Sequence, residues 1–531
     1  MARRRSNSTK ITSQAELDRA VWSICDILRR DKAKGARLYV SELTWMLFLN
    51  AIDQKEAEEE ARARALGTSF TPSIESPYRW RDWAAPPDDP LPLFQQNGFQ
   101  SGWKRRELTE GPIGSFLQFV NGKQTPEGPV GLFPYLRGLG HRPGATDRQR
   151  VIGMIFANKE QTILESETNL LDALDRVDAL TRAEISDQHI FLLSQAFEGL
   201  LPRLGEKKSD GGQFFTPREV IRVIVRAVDP QPGKTVYDPC CGTGGFLIEA
   251  YKHLIAQGPT PTQIEGLKTE TLWGREDANE AIPTCLANMV LHDIDLPRIW
   301  HGNTLTGVAT EGTLFEDAPL KFGYILTNPP FGSKEGKDAQ AQFAYKTGKA
   351  QVLFLQHIID SLADGGTCGM VIDEGVLFHT KTTAYRQTKR KLLDECNLWC
   401  VISLPAGVFV SAGAASKTNL LFFTKSQPTK RVWYYDLSDV KVTKKQPLTF
   451  EHFDDFFQRL ALATDNPERE SEHSWYVDIE AIRNKKYDLK AINPNAPDTS
   501  DKRTPQELLA VIRQAQQEID SGWEALMQTL R

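Results

Sequence analysis

Two short runs in this 531-residue sequence carry side chains suited to chemistry: Asp238-Pro-Cys-Cys-Gly-Thr-Gly-Gly and Asn328-Pro-Pro-Phe. An exocyclic amine on a nucleobase is a poor nucleophile, because its lone pair is delocalised into the ring. A catalyst must accept the amino hydrogens and leave electron density on nitrogen. The side-chain oxygen of Asn328 and the carbonyl of Pro329 are two acceptors suited to that task. Pro329 and Pro330 fix the backbone that aims them, and Phe331 offers a flat face to a base turned out of its stack. The plain alternative is a proline-rich loop with a packed phenylalanine.

The first run reads as a strand that ends in an acid, a glycine turn and a helix start. Asp238 offers a carboxylate to an ammonium or hydroxyl group, while Gly242, Gly244 and Gly245, with Thr243 among them, let backbone pass close to a ligand. The glycines do not complete a G-x-G-x-x-G dinucleotide fingerprint, and no Lys-Ser/Thr follows to make a P-loop. Glu276 falls at the tip of the next strand, where a carboxylate can accept both hydroxyls of a ribose; a helix-start acid is the bland reading. Upstream, Thr216 and Pro217 open a helix whose free amides suit a carboxylate. Methyl transfer from a sulfonium to such an amine needs no metal, and no Cys/His cluster has the spacing of a metal site.

These residues need a scaffold, and the pattern after Glu206-Lys-Lys-Ser-Asp-Gly-Gly supplies one. Short β-rich runs alternate with helices, which predicts an α/β, Rossmann-like doubly wound domain with an antiparallel edge. The expected strands are Thr235–Asp238, Thr271–Gly274, Tyr324–Thr327, Gly369–Ile372, Leu398–Leu404, Asn419–Phe423 and Val432–Tyr435. Before them, helical spacing of apolar residues over Gln14–Glu60 and Asn158–Arg203 flanks a Pro/Gly/Trp-rich stretch from 70 to 145. The expected division is a helical N-terminal domain over 1–205, a catalytic domain over 206–462 and an extension over 463–531. Near the end, Leu509, Ile512, Gln516, Ile519, Trp523, Leu526 and Leu530 make a helical stripe, expected to pack on its own chain, with a coiled-coil contact as the alternative.

A formal net charge of -5 argues against holding a polyanion by bulk electrostatics, so any grip on DNA is local or shared. Seven scattered cysteines make no disulfide framework, and no apolar stretch is long enough for a signal peptide or membrane span; a cytoplasmic setting is expected. The basic start, Met1 to Lys10, reads as a solvated tail or as an arm touching DNA.

Together the motifs resemble the methyltransferase (modification) subunit of type I restriction-modification systems, a family of N6-adenine DNA methyltransferases, over nearly the whole chain. The resemblance implies S-adenosyl-L-methionine as cofactor. It gives Gln213-Phe214-Phe215-Thr216-Pro217-Arg218 as a cofactor-binding segment, Gly242-Thr243-Gly244 as the glycine loop, Glu276 as the ribose acid and Asn328-Pro329-Pro330-Phe331 as the catalytic loop. Ile372-Asp-Glu-Gly-Val-Leu-Phe and Leu404-Pro-Ala-Gly-Val-Phe resemble later motifs, with Asp373-Glu where Pro-Asp is usual. Asn303 stands where an Asp commonly meets the cofactor adenine.

Only about eighty residues separate the glycine loop from Asn328, and about a hundred follow Lys425, so a module that reads DNA sequence does not fit. Target recognition is therefore expected from a separate specificity subunit, acting on double-stranded DNA with a flipped adenine. The resemblance adds a second copy of the chain and a restriction subunit as further partners. The competing readings are an RNA or protein-glutamine methyltransferase, an N4-cytosine enzyme, and a scaffold that binds the cofactor without catalysis.

Overall fold

The computed structural model describes residues 14–33, 36–84, 116–126, 128–182, 216–279, 281–309, 318–409, 417–443, 446–490, 492–495 and 503–529. The basic start, the polar stretch 206–212 and Gln213, Phe214 and Phe215 lie outside the described residues, as do the side chains of Leu526 and Leu530.

The chain opens with two helices, α1 (Gln14–Arg30) and α2 (Ala36–Leu66). Ile24, Leu28, Leu43, Met46 and Leu47 are buried, which is the face the helical spacing predicted. Helices α3 (Asp147–Phe156) and α4 (Glu167–Arg182) pack with them. Between, the described part of the Pro/Gly-rich stretch holds short helices and a small hairpin pairing Lys123–Thr125 with Gly128–Val130.

The second half is built on a ten-stranded mixed sheet. Its strands are β1 (Val236–Asp238), β2 (Leu272–Glu276), β3 (Arg298–Asn303), β4 (Val308–Ala309), β5 (Phe322–Thr327), β6 (Leu362–Asp373), β7 (Asn397–Ser403), β8 (Thr418–Thr424), β9 (Arg431–Asp436) and β10 (Ser474–Asp478). In space they run β10-β9-β7-β8-β6-β5-β1-β2-β3-β4. The five central strands from β6 to β3 are parallel. The chain winds outward from β1 through β2 to β3, then returns to the other side of β1 as β5. The crevice between β1 and β5 is thus the switch point where open sheets of this kind place their ligands.

Antiparallel pairs close both edges, β3 with β4 and β9 with β10. The strand at Thr418–Thr424, expected within the antiparallel edge pair, lies inside instead, antiparallel to both β6 and β7. Three strands of the sheet had no counterpart among those expected: β3, the two-residue β4, and β10, which carries the sheet into the stretch beyond residue 462 read as an extension.

Helices cover both faces, so the central strands read as continuous apolar runs rather than alternating ones. Leu420 and Phe422 face the layer formed by α5 (Arg218–Val228), α6 (Gly245–Ala256) and α7 (Ala281–Leu291), together with the N-terminal helices. Leu421 and Phe423 face the layer of α8 (Ala350–Ser361) and α9 (Thr383–Glu395). The N-terminal region joins the sheet domain through α7, which packs on α2 and α3. An ion network centred on the largely covered Lys55 and Arg148 spans the joint: Lys55 meets Asp293 at 2.5 Å, and Arg148 meets Glu59 at 2.8 Å and Asp295 at 2.9 Å.

The final helix, α10 (Pro505–Thr529), contradicts the expectation that its stripe packs on its own chain. Leu509, Ile512, Ile519 and Trp523 are 53 to 63% exposed.

Candidate active site

Strands β1, β2, β3 and β5 end at one edge of the sheet, and Asp238, Glu276, Asn303 and Asn328 stand at or just past those ends. The sequence-predicted residues are thereby gathered around one crevice although they span ninety positions.

Asp238 is buried, and its Oδ1 accepts hydrogen bonds from the Thr327 hydroxyl at 2.6 Å and the Cys240 amide at 3.1 Å. Burial pushes its carboxyl up to about 7; the bonds from Thr327 and Cys240 oppose the rise and the nearby Glu276 adds to it. Thr327 thus ties the end of β5 to the end of β1. A cation brought to this carboxylate would offset the cost of burying its charge.

The glycine turn has the conformation its composition requires. Gly242 and Gly244 sit at φ 54° and 82°, in the left-handed region that other L-residues disfavour. At Gly244 a Cβ would also lie 3.1 Å from the Cys285 sulfur of α7. The Asn288 side chain secures the turn by donating to the Thr243 carbonyl at 3.0 Å. On the outer side of the turn, a cavity of about 280 Å³ separates Thr243 and Pro283 from Trp45 and Phe156 of the N-terminal helices.

Glu276 is more engaged than the sequence reading allows. Its Oε2 accepts from the Gly242 amide at 2.8 Å, and its Oε1 from the amides of Asp277 at 3.0 Å and Ala278 at 2.9 Å. A carboxylate has about four lone-pair sites, so one is left for a hydroxyl. Burial raises its carboxyl and the three amides pull it down, with the rise prevailing. Asn303 spends its side-chain oxygen on the turn that follows β3, accepting from Leu305 at 2.9 Å and Thr306 at 3.1 Å, while its amide nitrogen faces Asp277 at 3.5 Å. An aspartate here would set a second carboxylate against Asp277.

At the Asn328–Phe331 loop, the Asn328 Nδ2 donates to the Thr216 hydroxyl at 2.9 Å, and its Oδ1 is buried without a partner among the described residues. Thr216 therefore does not cap α5, whose N-cap is Pro217 with no side-chain bond to its first amides. Arg218 opens that helix, its guanidinium pushed down to about 10 by burial. Phe331 packs edge-on against Phe409, with ring centroids 5.4 Å apart. Sequence reasoning missed Thr216 and Gln351 as partners of the loop; Gln351 donates to the Pro329 carbonyl at 3.2 Å. Among the described residues, no group of three or more His, Cys, Asp or Glu side chains could hold a metal ion, and no helix is long and apolar enough to cross a membrane.

A sheet edge with a glycine turn after one strand and, after the neighbouring strand, a proline-stiffened loop that opens on an orphaned amide oxygen has the layout expected of a methyltransferase of amino groups. Residues 188–502 match the family model for N-6 DNA methylase, and residues 17–101 that for the HsdM N-terminal domain. The EcoEI type I restriction enzyme methylase subunit of Escherichia coli is 31% identical over 94% of both chains. The EcoKI methylase subunit of Escherichia coli strain K12 is 32% identical over 82% of this chain and 74% of that one. A crystal structure of a modification subunit of a putative type I restriction enzyme from Vibrio vulnificus YJ016 superposes with a TM-score of 0.73, at 30% identity, over 92% of this chain and 98% of that one. The chain belongs to the N-6 DNA methylase family, within the methylase subunits of type I restriction enzymes.

Proposed function

We propose that the chain transfers a methyl group from S-adenosyl-L-methionine to the N6 amino group of an adenine flipped from double-stranded DNA, as the modification subunit of a cytoplasmic type I restriction-modification complex. The observation that carries this reading is the buried, unpartnered Oδ1 of Asn328 at the switch point of the sheet. A buried acceptor without a donor costs stability, about 1–3 kcal/mol, and its retention is accounted for by a donor that arrives with the substrate.

The residues present fit the cofactor. The left-handed backbone at Gly242 and Gly244 turns the chain past the end of β1, Asp238 suits the methionine ammonium, the N-terminal end of α5 suits its carboxylate, and the remaining lone pair of Glu276 suits a ribose hydroxyl. Asn303 and the segment Gln213 to Arg218 complete the proposed cofactor set. When bound, S-adenosyl-L-methionine supplies a methyl group on a positively charged sulfur.

This chain's own residues handle the acceptor. Asn328 Oδ1 and the Pro329 carbonyl take the two amino hydrogens, which turns the nitrogen lone pair out of conjugation and towards the methyl donor. Pro330 stiffens the loop, and Phe331, braced by Phe409, holds the base in plane. Transfer would form the N–C bond as the methyl–sulfur bond breaks and its electron pair returns to sulfur; the two oxygens would stabilise the positive charge growing on nitrogen until a proton departs to water.

The helical region at 1–205 and the extension at 463–531 take the remaining roles in this reading. The exposed stripe of α10 docks a specificity subunit that chooses the adenine, and a second copy of the chain and a restriction subunit complete the assembly. Sequencing of methylated bases in cells carrying this chain with its neighbouring subunits tests the reading. N6-methyladenine at one defined site is expected; methylcytosine, or modification by the chain alone at full rate, overturns it.

A further inference from the structure

We infer that Gln351 is a positioning residue for methyl transfer: its side-chain amide holds the Pro329 carbonyl in place and ties it to the end of strand β6. The inference rests on the reading of Asn328 and Pro329 as the acceptors of the amino hydrogens.

Gln351 lies in the first turn of α8 and is 4% exposed. Its Nε2 donates to the Pro329 carbonyl at 3.2 Å, and its Oε1 accepts the backbone N–H of Asp373 at 3.1 Å. The Ala350 amide adds a second link by donating to the Ser333 carbonyl at 3.2 Å. The start of α8 therefore grips the loop on both sides of Phe331.

The two bonds need a side chain that both donates and accepts, and a glutamine amide does so. Glutamate has no donor for the carbonyl, lysine and arginine have no acceptor for the Asp373 N–H, and leucine has neither. A carbonyl oxygen has two lone pairs, and Gln351 occupies one of them at Pro329. The direction of the other, which the substrate amine would use, is then fixed by α8 rather than by the loop's own flexibility. Asn328 is held in the same manner by Thr216 from the other side. The two acceptors thus have separate supports on α8 and ahead of α5.

The Asp373 end of the link can be cut selectively. Asp373 has φ −66° at the last position of β6, a conformation that proline shares, and its N–H goes to Gln351. Asp373→Pro deletes that N–H. Asp373→Ala keeps it while losing, as proline does, the side-chain bond to the Gly375 amide.

The experiment measures single-turnover methylation of adenine in duplex DNA by the full chain assembled with its DNA-reading partner, alongside cofactor affinity by calorimetry. Gln351→Leu is expected to lower the rate by about tenfold to a hundredfold, as misplaced reacting groups do, with cofactor affinity changed by less than about twofold. Gln351→Glu is expected to be as slow at high pH and to recover as pH falls, because the introduced carboxyl donates to Pro329 once protonated. Asp373→Pro should be slower than Asp373→Ala. A Gln351→Leu enzyme that keeps its rate, or a Gln351→Glu enzyme whose pH profile follows the unaltered chain, overturns the role of Gln351. Failure of the unaltered complex to methylate adenine overturns instead the functional reading beneath it.

Discussion

The crevice at β1 and β5 and the helix α10 are unfinished in opposite ways. In the crevice a polar atom, Asn328 Oδ1, is buried without a donor, among side chains otherwise tied to neighbouring backbone. On α10 apolar side chains are exposed without a cover, Ile512 at 63% and Trp523 at 60%. The first deficit calls for a small group with hydrogens to give, and the second for a large apolar surface. On the proposed reading, the chain keeps its chemistry inside its own fold and offers α10 to a partner protein.

The hardest blow to this contrast is Asn328→Ala. Removing one of two acceptors that act on developing charge should lower the methylation rate by about a hundredfold to a thousandfold. Cofactor affinity should hold, since in the proposed reading Asn328 Oδ1 serves the amine of the base and not the cofactor. Equal losses in rate and in calorimetric cofactor affinity would show that Asn328 belongs to the cofactor's pocket instead.

The opposite pole is tested by Ile512→Asp with Trp523→Asp. Exposed positions tolerate such changes within about 0.5 kcal/mol, so the melting temperature of the isolated chain should stay put. Binding of the specificity partner, followed by gel filtration and calorimetry, should weaken by about thirtyfold if these side chains anchor the interface. A falling melting temperature with unchanged binding would mean that the stripe serves the chain's own fold.

The two regions also differ in how a proton affects them. The Asp238 carboxyl is raised from 3.8 to about 7, so between these values the folded chain holds a proton that the unfolded chain has released. Stability from this group is therefore present at low pH and declines as pH rises through about 7. A cationic ligand prefers the ionised form, so its affinity moves the other way. Binding of S-adenosyl-L-methionine, measured by calorimetry, should tighten by up to about tenfold per unit as pH approaches 7 from below, then level off. Asp238→Asn should flatten that profile, and binding of the partner to α10 should not share it. A cofactor profile that stays flat in the unaltered chain would remove Asp238 from the ammonium site.

What the sequence made legible follows the same divide. Asp238, Glu276 and Asn328 were readable because each sits where an apolar run stops, and a strand's end is a local signal. The place of β8 between β6 and β7 was not, since spatial order depends on pairings distant in sequence. Strand β3 escaped because Arg298-Ile-Trp-His-Gly-Asn lacks a plain apolar period, and β10 because its short run lies among polar residues. The partners of the Asn328–Phe331 loop were hidden for a related reason. Thr216 is 112 positions from Asn328, and nothing in its neighbourhood announces a side chain other than a helix cap. The stripe on α10 was legible as a pattern, but its exposure was not, because the same spacing serves a helix packed at home.

Thr216 supplies the finest discrimination. Its hydroxyl accepts from Asn328 Nδ2 at 2.9 Å, and this single bond decides which end of the Asn328 amide faces the crevice. Thr216→Val keeps the volume and removes the acceptor, so the amide can turn over and present nitrogen where oxygen is needed. A bond of this kind is worth about 0.5–1.5 kcal/mol, so the methylation rate should fall by about twofold to tenfold, with Thr216→Ser restoring most of it. Because Thr216 was read from sequence as part of the cofactor segment, the division of the effect matters. A fall in rate at constant cofactor affinity assigns the hydroxyl to Asn328, whereas weaker cofactor binding at constant rate returns it to the segment around Pro217.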